Sequence, residues 1–150
     1  MGIQKGKIMI LRNAKMKDAA ILLKWRNDEQ TRANSRNTEP VKESEHLEWL
    51  EYVLNNQSRK LYIAEVDGLP VGTIRVDDEG SFAELSWTIV PEHRGKGYAK
   101  QMVSLIAEKA DKDLMAVIKQ SNAASIKVAT NAGFEFYVKN GDFLVYRRTI

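Results

Sequence analysis

A short basic segment with two glycines, Arg94-Gly95-Lys96-Gly97, is the stretch of this sequence best suited to bind an anion. The glycines let a ligand approach the backbone closely, and Lys100 adds a positive charge just beyond them. From Ala99 onward the small and apolar residues recur at helical spacing, so the segment ends where a helix leaves its first N–H groups unpaired. Those groups and the helix dipole favour phosphate, although a solvated turn can have the same composition.

A predicted strand precedes this segment and a predicted helix follows it. Apolar and β-branched residues run from Phe82 to Val90 and stop at Pro91, which cannot donate a hydrogen bond to a strand ladder. The helix is expected from Gly97 to about Lys112, because it has a continuous apolar face. That face contains Met102, Val103, Ile106, Ala107 and Ala110. This placement between a buried strand and an amphipathic helix strengthens the prediction of phosphate binding.

Residues Arg94 to Ala99 resemble the Arg/Gln-x-x-Gly-x-Gly/Ala signature of the GNAT superfamily of N-acetyltransferases. In that family the loop holds the pyrophosphate of acetyl-coenzyme A, so the resemblance implies acetyl-CoA as cosubstrate. The spacing differs from the dinucleotide-binding G-x-G-x-x-G fingerprint and from a P-loop. The implied contacts are Arg94, Gly95, Lys96, Gly97, Tyr98 and Ala99.

The resemblance also implies how the acetyl group is transferred. A substrate amine must lose a proton, and the developing oxyanion must be stabilised. Glu84 is the candidate base, because Phe82-Ala83-Glu84-Leu85 is similar to the segment with the catalytic glutamate in the histone acetyltransferase branch. The family alignment puts the backbone N–H of Thr88 near the thioester carbonyl, and the backbone of Ile89 and Val90 along the pantetheine arm. The alternative is that Glu84 only pairs with a nearby cation, and that a water chain replaces it as the base.

Near the C-terminus, Asn122, Ser125 and Gly133-Phe134 match the Asn-x-x-Ser run ending in Gly-Phe of the branch that includes ribosomal-protein and spermidine acetyltransferases. The match implies that Asn122 and Ser125 contact coenzyme A, while a helix cap and an exposed first-turn residue are their ordinary roles. Many members have a tyrosine, the acid that protonates the leaving thiolate, where this sequence has Ala129. The remaining candidates for that acid are Tyr98, Tyr137, another group or water.

Substrate choice is expected to depend on the first two helices and the last hairpin. The Trp-Arg-Asn run at Trp25 and the Glu-His-x-x-Trp run at Glu45 resemble signatures of bacterial acetyltransferases that act on nucleotide-linked amino sugars. Arg26 and Arg32 are candidates for binding a diphosphate bidentately, and His46 is a candidate second base. Trp25 is a candidate for stacking on a base or sugar, although aromatic residues at helical spacing more often pack in a core.

Composition and charge limit the classes of protein and partner. The 150 residues favour one domain over residues 1–150, with ordinary hydrophobic (43%) and charged (29%) fractions. With no cysteine and only two histidines, we expect no disulfide, no thiolate zinc site and no dedicated metal. A net charge of +3 fits an anionic ligand, but 23 basic against 20 acidic residues do not indicate nucleic acid. Neither a signal peptide nor an apolar run of transmembrane length is evident, so we expect a cytoplasmic protein without membrane contact.

Hydrophobic periodicity and turn residues predict the remaining elements. The polar, aperiodic segment from Gln30 to Pro40 is expected to be a functional loop, and the first strand is expected to be buried on both faces. The expected strands are Lys7–Arg12, Leu61–Val66, Val71–Val76, Phe82–Val90, Leu114–Ile118, Phe134–Val138 and Phe143–Arg147. The expected helices are about Lys17–Asn27, Glu43–Asn55, Gly97–Lys112 and Asn122–Gly133.

This order of elements is also that of the acetyltransferase family. The resemblance implies an α+β GNAT fold, a mixed and mostly antiparallel seven-stranded sheet with a splayed central parallel pair and about four helices. It implies an N-acetyltransferase in which a primary amine attacks acetyl-CoA directly in a ternary complex. The favoured acceptor is a nucleotide-linked amino sugar of surface-polysaccharide biosynthesis. The alternatives are a protein N-terminus, as in ribosomal-protein acetyltransferases, a polyamine, and a non-catalytic coenzyme A-binding module; a homodimer is left open.

Overall fold

The computed structural model describes residues 8–150, which form one seven-stranded sheet with five α-helices on its faces. The strands are β1 (Met9–Asn13), β2 (Arg59–Val66), β3 (Leu69–Asp78), β4 (Phe82–Ile89), β5 (Asp113–Lys119), β6 (Glu135–Asn140) and β7 (Phe143–Arg148). The helices are α1 (Ala19–Arg26), α2 (Glu29–Ala33), α3 (Glu43–Leu54), α4 (Tyr98–Ala107) and α5 (Ala123–Asn131). The strands lie in the order β1-β2-β3-β4-β5-β7-β6. In this described part of the chain, none of the helices combines the length and apolar character needed to cross a membrane.

One pair of neighbouring strands in the described sheet is parallel. β4 and β5 run in the same direction, whereas the other neighbouring pairs are antiparallel. The chain passes from β4 to β5 through α4, the kind of crossover that a parallel pair requires. The two strands pair only from Phe82 with Asp113 to Glu84 with Met115, and beyond that point they part. The predicted α+β class, the seven strands and the splayed parallel pair are therefore confirmed.

A hydrophobic cluster lies on each face of the sheet and holds the helices. The larger cluster lies under α4 and α5, where Met102 and Val103 are fully buried. The smaller cluster lies under α1 and α3, where Leu50 and Ile63 are fully buried. Two clusters form because successive strand residues point to opposite faces, so both faces of the central strands are apolar. We call the side of the sheet that packs on α1 and α3 the α3 face.

The helices differ from the sequence prediction at two places. The sequence predicts a loop from Gln30, but α2 lies there, begun by Asp28, whose Oδ2 accepts a hydrogen bond from Thr31 N at 3.1 Å. A five-residue helix is too short to show periodicity in a sequence. α4 ends at Ala107 rather than near Lys112, because the N–H groups of Lys109 and Ala110 bond three residues back and close the helix.

The first strand also differs from the prediction. Its expected start, Lys7, lies outside the described residues. β1 is an edge strand that pairs with β2 alone, and the expectation that both its faces are buried is wrong. Met9 is 8% exposed, whereas Ile10 is 60% exposed, because α4 packs against only one side of this strand.

Replacing Leu50 by alanine tests how α3 is attached to the sheet. Leu50 is fully buried, so Leu50→Ala should lower the free energy of unfolding by about 3 kcal/mol, measured by urea denaturation. Leu69→Ala is the matched control: this leucine is 58% exposed, and its loss should change stability by no more than about 0.5 kcal/mol. Similar losses in both variants would contradict the packing described here.

Candidate functional site

The parted strands leave backbone groups facing a gap between β4 and β5, which we call the opening. In a strand, the N–H and C=O of one residue point to one edge, and those of the next residue point to the other edge. Val90 N donates to Val71 O at 2.8 Å, towards β3. Because β4 pairs with β3 without a bulge, the amide of Thr88 also faces β3. The amides of Trp87 and Ile89 therefore face the opening.

This alternation corrects the predictions for Thr88 and Val90. A Cβ added at Gly72 on β3 would lie 2.6 Å from Thr88 O, so the carbonyl of Thr88 also faces β3. Val90 is occupied at both backbone groups, because its carbonyl accepts a hydrogen bond from His93 N at 2.9 Å. The amide of Thr88, the expected oxyanion donor, therefore faces β3 and not the opening, because a sequence does not show which edge of a strand each amide faces.

The segment predicted to bind phosphate lies between β4 and α4, at the open end of the parted strands. α4 begins at Tyr98, and Gly97 is an N-cap residue that gives no side-chain hydrogen bond. Gly95 and Gly97 both have φ of 80°, and a Cβ on either would meet nothing within 4 Å. Lys96 and Lys100 are exposed beside them. An anion can therefore reach the unpaired N–H groups in the first turn of α4.

The Arg94 side chain does not line this anion site as the sequence predicts. Its guanidinium binds the start of α2, donating from Nη2 to Asp28 Oδ2 at 2.8 Å and to Thr31 Oγ1 at 3.1 Å. Nη1 donates to Gln30 Oε1 at 2.9 Å, and Nε donates to Ile89 O at 3.2 Å. Burial acts to raise the pKa of Asp28, but the hydrogen bonds from Arg94 and Thr31 outweigh it and hold that pKa below its ordinary value. Arg94 therefore joins the phosphate-binding segment to α2.

The other parted strand is also joined to α2. Lys119, the last residue of β5, donates from Nζ to the carbonyl of Ala33, the last residue of α2, at 2.8 Å. Both connections are between side chains and a short helix that begins only three residues after α1. α2 thus spans the open end and contacts the β4 side through Arg94 and the β5 side through Lys119.

α5 begins at the same end of the sheet, after β5. The side-chain Oδ1 of Asn122 accepts a hydrogen bond from Ser125 N at 3.2 Å, so the predicted helix cap is confirmed. Asn122 and Ser125 are both half-exposed. Gly133, where the sequence predicts that this helix ends, has a left-handed φ of 89°. Contact of Asn122 and Ser125 with coenzyme A stays a prediction.

Glu84 lies where β4 and β5 part, on the α3 face beside Asp77 of β3. Its carboxyl is half-buried and makes no hydrogen bond or ion pair with another described residue. Burial raises the pKa of Glu84; Arg36 and Arg75 oppose this, whereas the carboxylates of Asp77 and Glu79 reinforce it. An unpartnered carboxyl with a raised pKa is well suited to take a proton from an amine.

Two of the predicted substrate-binding residues lie inside the protein. Trp25 is 6% exposed and packs in the smaller cluster, so almost none of its ring is available for stacking on a ligand. His46 is 4% exposed, and its ring lies 5.4 Å from that of Trp49. Burial, assisted by the charge of Arg26, lowers the pKa of His46 and keeps the ring neutral at pH 7. Both residues therefore contribute to the core, and we do not include them in the acceptor site.

The two predicted arginines bind the loop between α2 and α3. Arg26 donates from Nη2 to Asn37 O at 2.9 Å, and Arg32 donates from Nη1 to Thr38 O at 3.1 Å. Arg32 also donates from Nε to Asn27 O at 3.1 Å. The Nη1 of Arg26 is buried and has no hydrogen-bond partner among the described residues. These contacts hold the loop, and a direct role for either arginine in substrate binding stays a prediction.

The two tyrosines that are candidates for the general acid differ in their distance from the parted strands. Ala129, at the position of the family's tyrosine, is fully buried. Tyr137 lies on β6, which is separated from β4 by two strands, about 14 Å in all. Tyr98 is the first residue of α4 beside the opening and is 9% exposed. Of the two tyrosines, only Tyr98 is close to the parted strands.

Asp28, Lys119 and Arg36 are residues at the site that the sequence alone does not single out. Asp28 precedes Thr31 in an N-cap pattern that indicates α2. Lys119 and Arg36 have no such local pattern, because they contact partners far away along the chain. Arg36 lies over the ring of Phe143, with its Cζ 5.7 Å from the ring centroid. Only the folded sheet brings such residues together.

The splayed parallel pair and the uncapped helix at its open end are features that this protein shares with a known family. The family model of the acetyltransferase (GNAT) domain matches residues 9–135. The chain belongs to this family. It is an N-acetyltransferase, and the cosubstrate of this family is acetyl-CoA. No curated protein sequence matches this acetyltransferase at a significant level.

Solved structures share the fold of this acetyltransferase. A domain from Methanocaldococcus jannaschii has a TM-score of 0.86 at 22% identity, covering 97% of this chain and 100% of the other. An acetyltransferase from Thermus thermophilus has a TM-score of 0.81 at 21% identity, covering 95% and 97%. The acetyltransferase AAC(6')-Ib, in complex with ribostamycin and coenzyme A, has a TM-score of 0.79 at 20% identity, covering 94% and 93%. At these identities the likeness concerns the fold alone.

Replacing Gly97 by valine tests where this acetyltransferase binds the cosubstrate. The branched side chain would occupy the open space at the uncapped end of α4, so we expect the Kd of acetyl-CoA to rise about 30-fold, the effect of losing one strong charge-assisted hydrogen bond. Isothermal titration calorimetry measures this affinity directly.

Gly68→Val is the matched control for Gly97→Val. Gly68 also has a left-handed φ, of 77°, and open space around it, but it lies in the turn between β2 and β3. It carries the same backbone strain and should leave the affinity for acetyl-CoA unchanged. Equal affinities in both variants would contradict the assignment of the phosphate site.

Proposed function

We propose that this acetyltransferase transfers the acetyl group to the primary amine of a nucleotide-linked amino sugar, by direct attack in a ternary complex. The observation that carries the proposal is the unpartnered carboxyl of Glu84 at the point where β4 and β5 part. Acetyl-CoA supplies the acetyl group as a reactive thioester. The residues of the chain hold this cosubstrate, position the acceptor and accept its proton.

The cosubstrate contacts that we propose follow from the open end of the sheet. The N–H groups in the first turn of α4 and the open backbone at Gly95 and Gly97 would hold the pyrophosphate, with charge from Lys96 and Lys100. The pantetheine arm would lie in the opening, where the amide of Ile89 faces. Arg94 supports this site by fixing the segment to α2, and its own backbone lies beside the glycines. Tyr98 and Ala99 contribute through their backbone N–H groups, because they begin the helix.

Glu84 is the proposed general base. At neutral pH a primary amine is mostly protonated, so it must release a proton before its nitrogen attacks. The Glu84 carboxylate accepts that proton, directly or through one water. The new C–N bond forms as the C–S bond breaks, and the leaving thiolate takes up a proton from Tyr98 or from water.

The amide of Trp87 is the proposed donor to the developing oxyanion, in place of Thr88. It faces the opening and lies three residues, about 10 Å of strand, from Glu84. A fixed N–H aimed at the acyl oxygen stabilises the negative charge that develops there. The donor is a backbone group, so it does not depend on the identity of the side chain.

The nucleotide-linked amino sugar is inferred from the resemblance of the segments around Trp25 and Glu45 to those of enzymes acting on such sugars. In the fold, Arg26 of the first segment holds the loop between α2 and α3. A protein N-terminus is the second candidate acceptor, a polyamine is the third, and a non-catalytic coenzyme A-binding module is the alternative to an enzyme. We expect the enzyme to act in the cytoplasm, where acetyl-CoA and nucleotide sugars both occur. A homodimer remains part of the proposal without a defined interface.

The decisive experiment is an assay of thiol release from acetyl-CoA with three classes of amine: nucleotide-linked amino sugars, N-terminal peptides and polyamines. We expect turnover with the amino sugars and little with the others. Turnover with peptides alone would replace the acceptor proposal by the second candidate. Cosubstrate binding without turnover of any amine would support the non-catalytic alternative.

Replacing Glu84 by glutamine tests the general base. The change should lower kcat/KM about 100-fold at neutral pH, because the amine then loses its proton to water alone. The loss should shrink as the pH rises above the pKa of the amine. Since burial raises the pKa of Glu84, wild-type activity should fall on the acid side at a higher pH than an ordinary glutamate would give.

Glu108→Gln is the control for the Glu84 variant, because it makes the same change of charge at an exposed residue beyond the far end of α4. Its rate profile should match that of the wild type. Equal rates for wild type and Glu84→Gln from neutral to alkaline pH would exclude Glu84 as the base.

A further inference from the structure

Glu84 and Arg36 are charged side chains on the α3 face that have no ion-pair partner among residues 8–150. By contrast, Arg59 and Arg75 on this side both bind the carboxylate of Asp77, at 3.5 and 3.0 Å. A half-buried carboxylate without a partner costs free energy, which a ligand of opposite charge can recover. These two unpartnered charges therefore indicate which charged groups the acceptor carries.

The backbone around Arg36 is held in position. Its loop is bonded to α1 and α2 at Asn37 and Thr38, as described above, and then at Val41. Asn27 makes two hydrogen bonds with Val41, donating to its carbonyl at 2.9 Å and accepting from its N–H at 2.7 Å. On the other side of Arg36, Ser35 donates from Oγ to Thr31 O at 2.6 Å, so the direction in which Arg36 leaves the loop is set by contacts on both sides of it.

Arg36 and Glu84 lie at opposite ends of one uncovered strip of the sheet. Arg36 rests on Phe143 of β7, which lies opposite Lys119 of β5 in the sheet register. Glu84 of β4 lies opposite Met115 of the same strand β5. The register puts all these side chains on the α3 face. By strand geometry the backbones at Glu84 and Phe143 are about 16 Å apart, and the two charged side chains reach across part of that distance. The strip between them is made by Met115, Val117 and Val145, which are half-buried and belong to neither hydrophobic cluster.

The strip has a carboxylate at one end and a guanidinium at the other, so it is complementary to a molecule that carries both a positive and a negative group. An acceptor ammonium complements the Glu84 carboxylate, and an oxyanion complements a guanidinium whose face rests on an aromatic ring and whose N–H groups are free to bind it. Opposite charges at fixed separation select a ligand by charge and by length.

We propose that Arg36, resting on Phe143, binds an oxyanion of the acceptor, a phosphate or a carboxylate, and thereby presents the acceptor amine to Glu84. The inference rests on the proposed acetyl transfer to an amine. It transfers the role expected of Arg26 and Arg32 to Arg36, because those two arginines already bind loop carbonyls. It also disfavours polyamines, which carry no negative group to meet Arg36.

The test compares acceptors that differ only in the oxyanion. Glucosamine 1-phosphate is paired with glucosamine, and phenylalanine with phenylalaninamide, so the two pairs distinguish phosphate from carboxylate. The wild type should favour the anionic member of one pair. Arg36→Ala should lower kcat/KM for that member about 30-fold and for its neutral partner less than about 3-fold. Arg36→Lys should give an intermediate loss, because lysine keeps the charge but not the planar fork.

Arg147→Ala is the matched control. Arg147 is on the same face and also lies over an aromatic ring, that of Tyr137 at 4.9 Å, but it is not among the charges acting on Glu84. It should leave the preference for the anionic acceptor unchanged. A second readout is calorimetric binding of the same four acceptors to the complex of the protein with coenzyme A, which does not require turnover.

Three results would overturn the inference: no preference of the wild type for either anionic member, an equal loss for both members in Arg36→Ala, or loss of the preference in Arg147→Ala instead. An equal loss would mean that Arg36 acts only through the charge of Glu84. Failure of the proposed function is distinguishable, because it is the absence of thiol release with every amine. In that case Arg36-dependent binding of an anionic acceptor would still support the inference, and its absence would overturn it.

Discussion

The backbone pairing between β4 and β5 stops at Glu84, and the rest of the site depends on that stop. Peptide groups taken out of water without a partner cost free energy, so a gap inside a sheet is maintained only if water or a ligand occupies it. β5 is fully paired with β7 on its other side, from Leu114 to Lys119, so the unpaired groups are confined to the edges that face each other. The pantetheine arm of coenzyme A contains amide groups, and an extended chain with amides is the ligand that such edges favour.

The gap also needs something to keep its sides apart and in register. α2 meets this need, because Arg94 reaches it from the β4 side and Lys119 reaches it from the β5 side. The Arg94 contact is charge-assisted and includes several donors, so it is the stronger of the two connections. A helix with only five residues has little intrinsic stability, and its tertiary contacts are therefore what keep it folded.

The parts of this structure that could be predicted from the sequence are those set by local pattern. The strand from Phe82, the helix cap at Asn122 and the glycines before Tyr98 were all recognisable, because apolar period, capping and left-handed turns depend on near neighbours. The role of Thr88 depended on which strand edge each amide faces, which only the pairing of β4 with β3 determines.

The acceptor side was harder to predict for the same reason. A tryptophan at helical spacing is compatible with a core or with a ligand, and only the packing of α1 on α3 assigns Trp25 to the core. Arg36 has no local pattern at all, and its position follows from a loop held by side chains of α1 and α2. Arginines that resembled a substrate motif proved to hold that loop.

The connection from Arg94 to α2 gives the two proposed ligand sites a shared structural element. On one side of Arg94 are the glycines that would meet the pyrophosphate, and beyond α2 is the loop that carries Arg36. If an occupied phosphate site makes the arrangement of that loop more populated, an acceptor that needs this arrangement gains affinity. Linkage is reciprocal for binding free energies, so the acceptor would then tighten cosubstrate binding by the same factor. A single arginine would in this way set the degree to which the enzyme favours the ternary complex over either binary one.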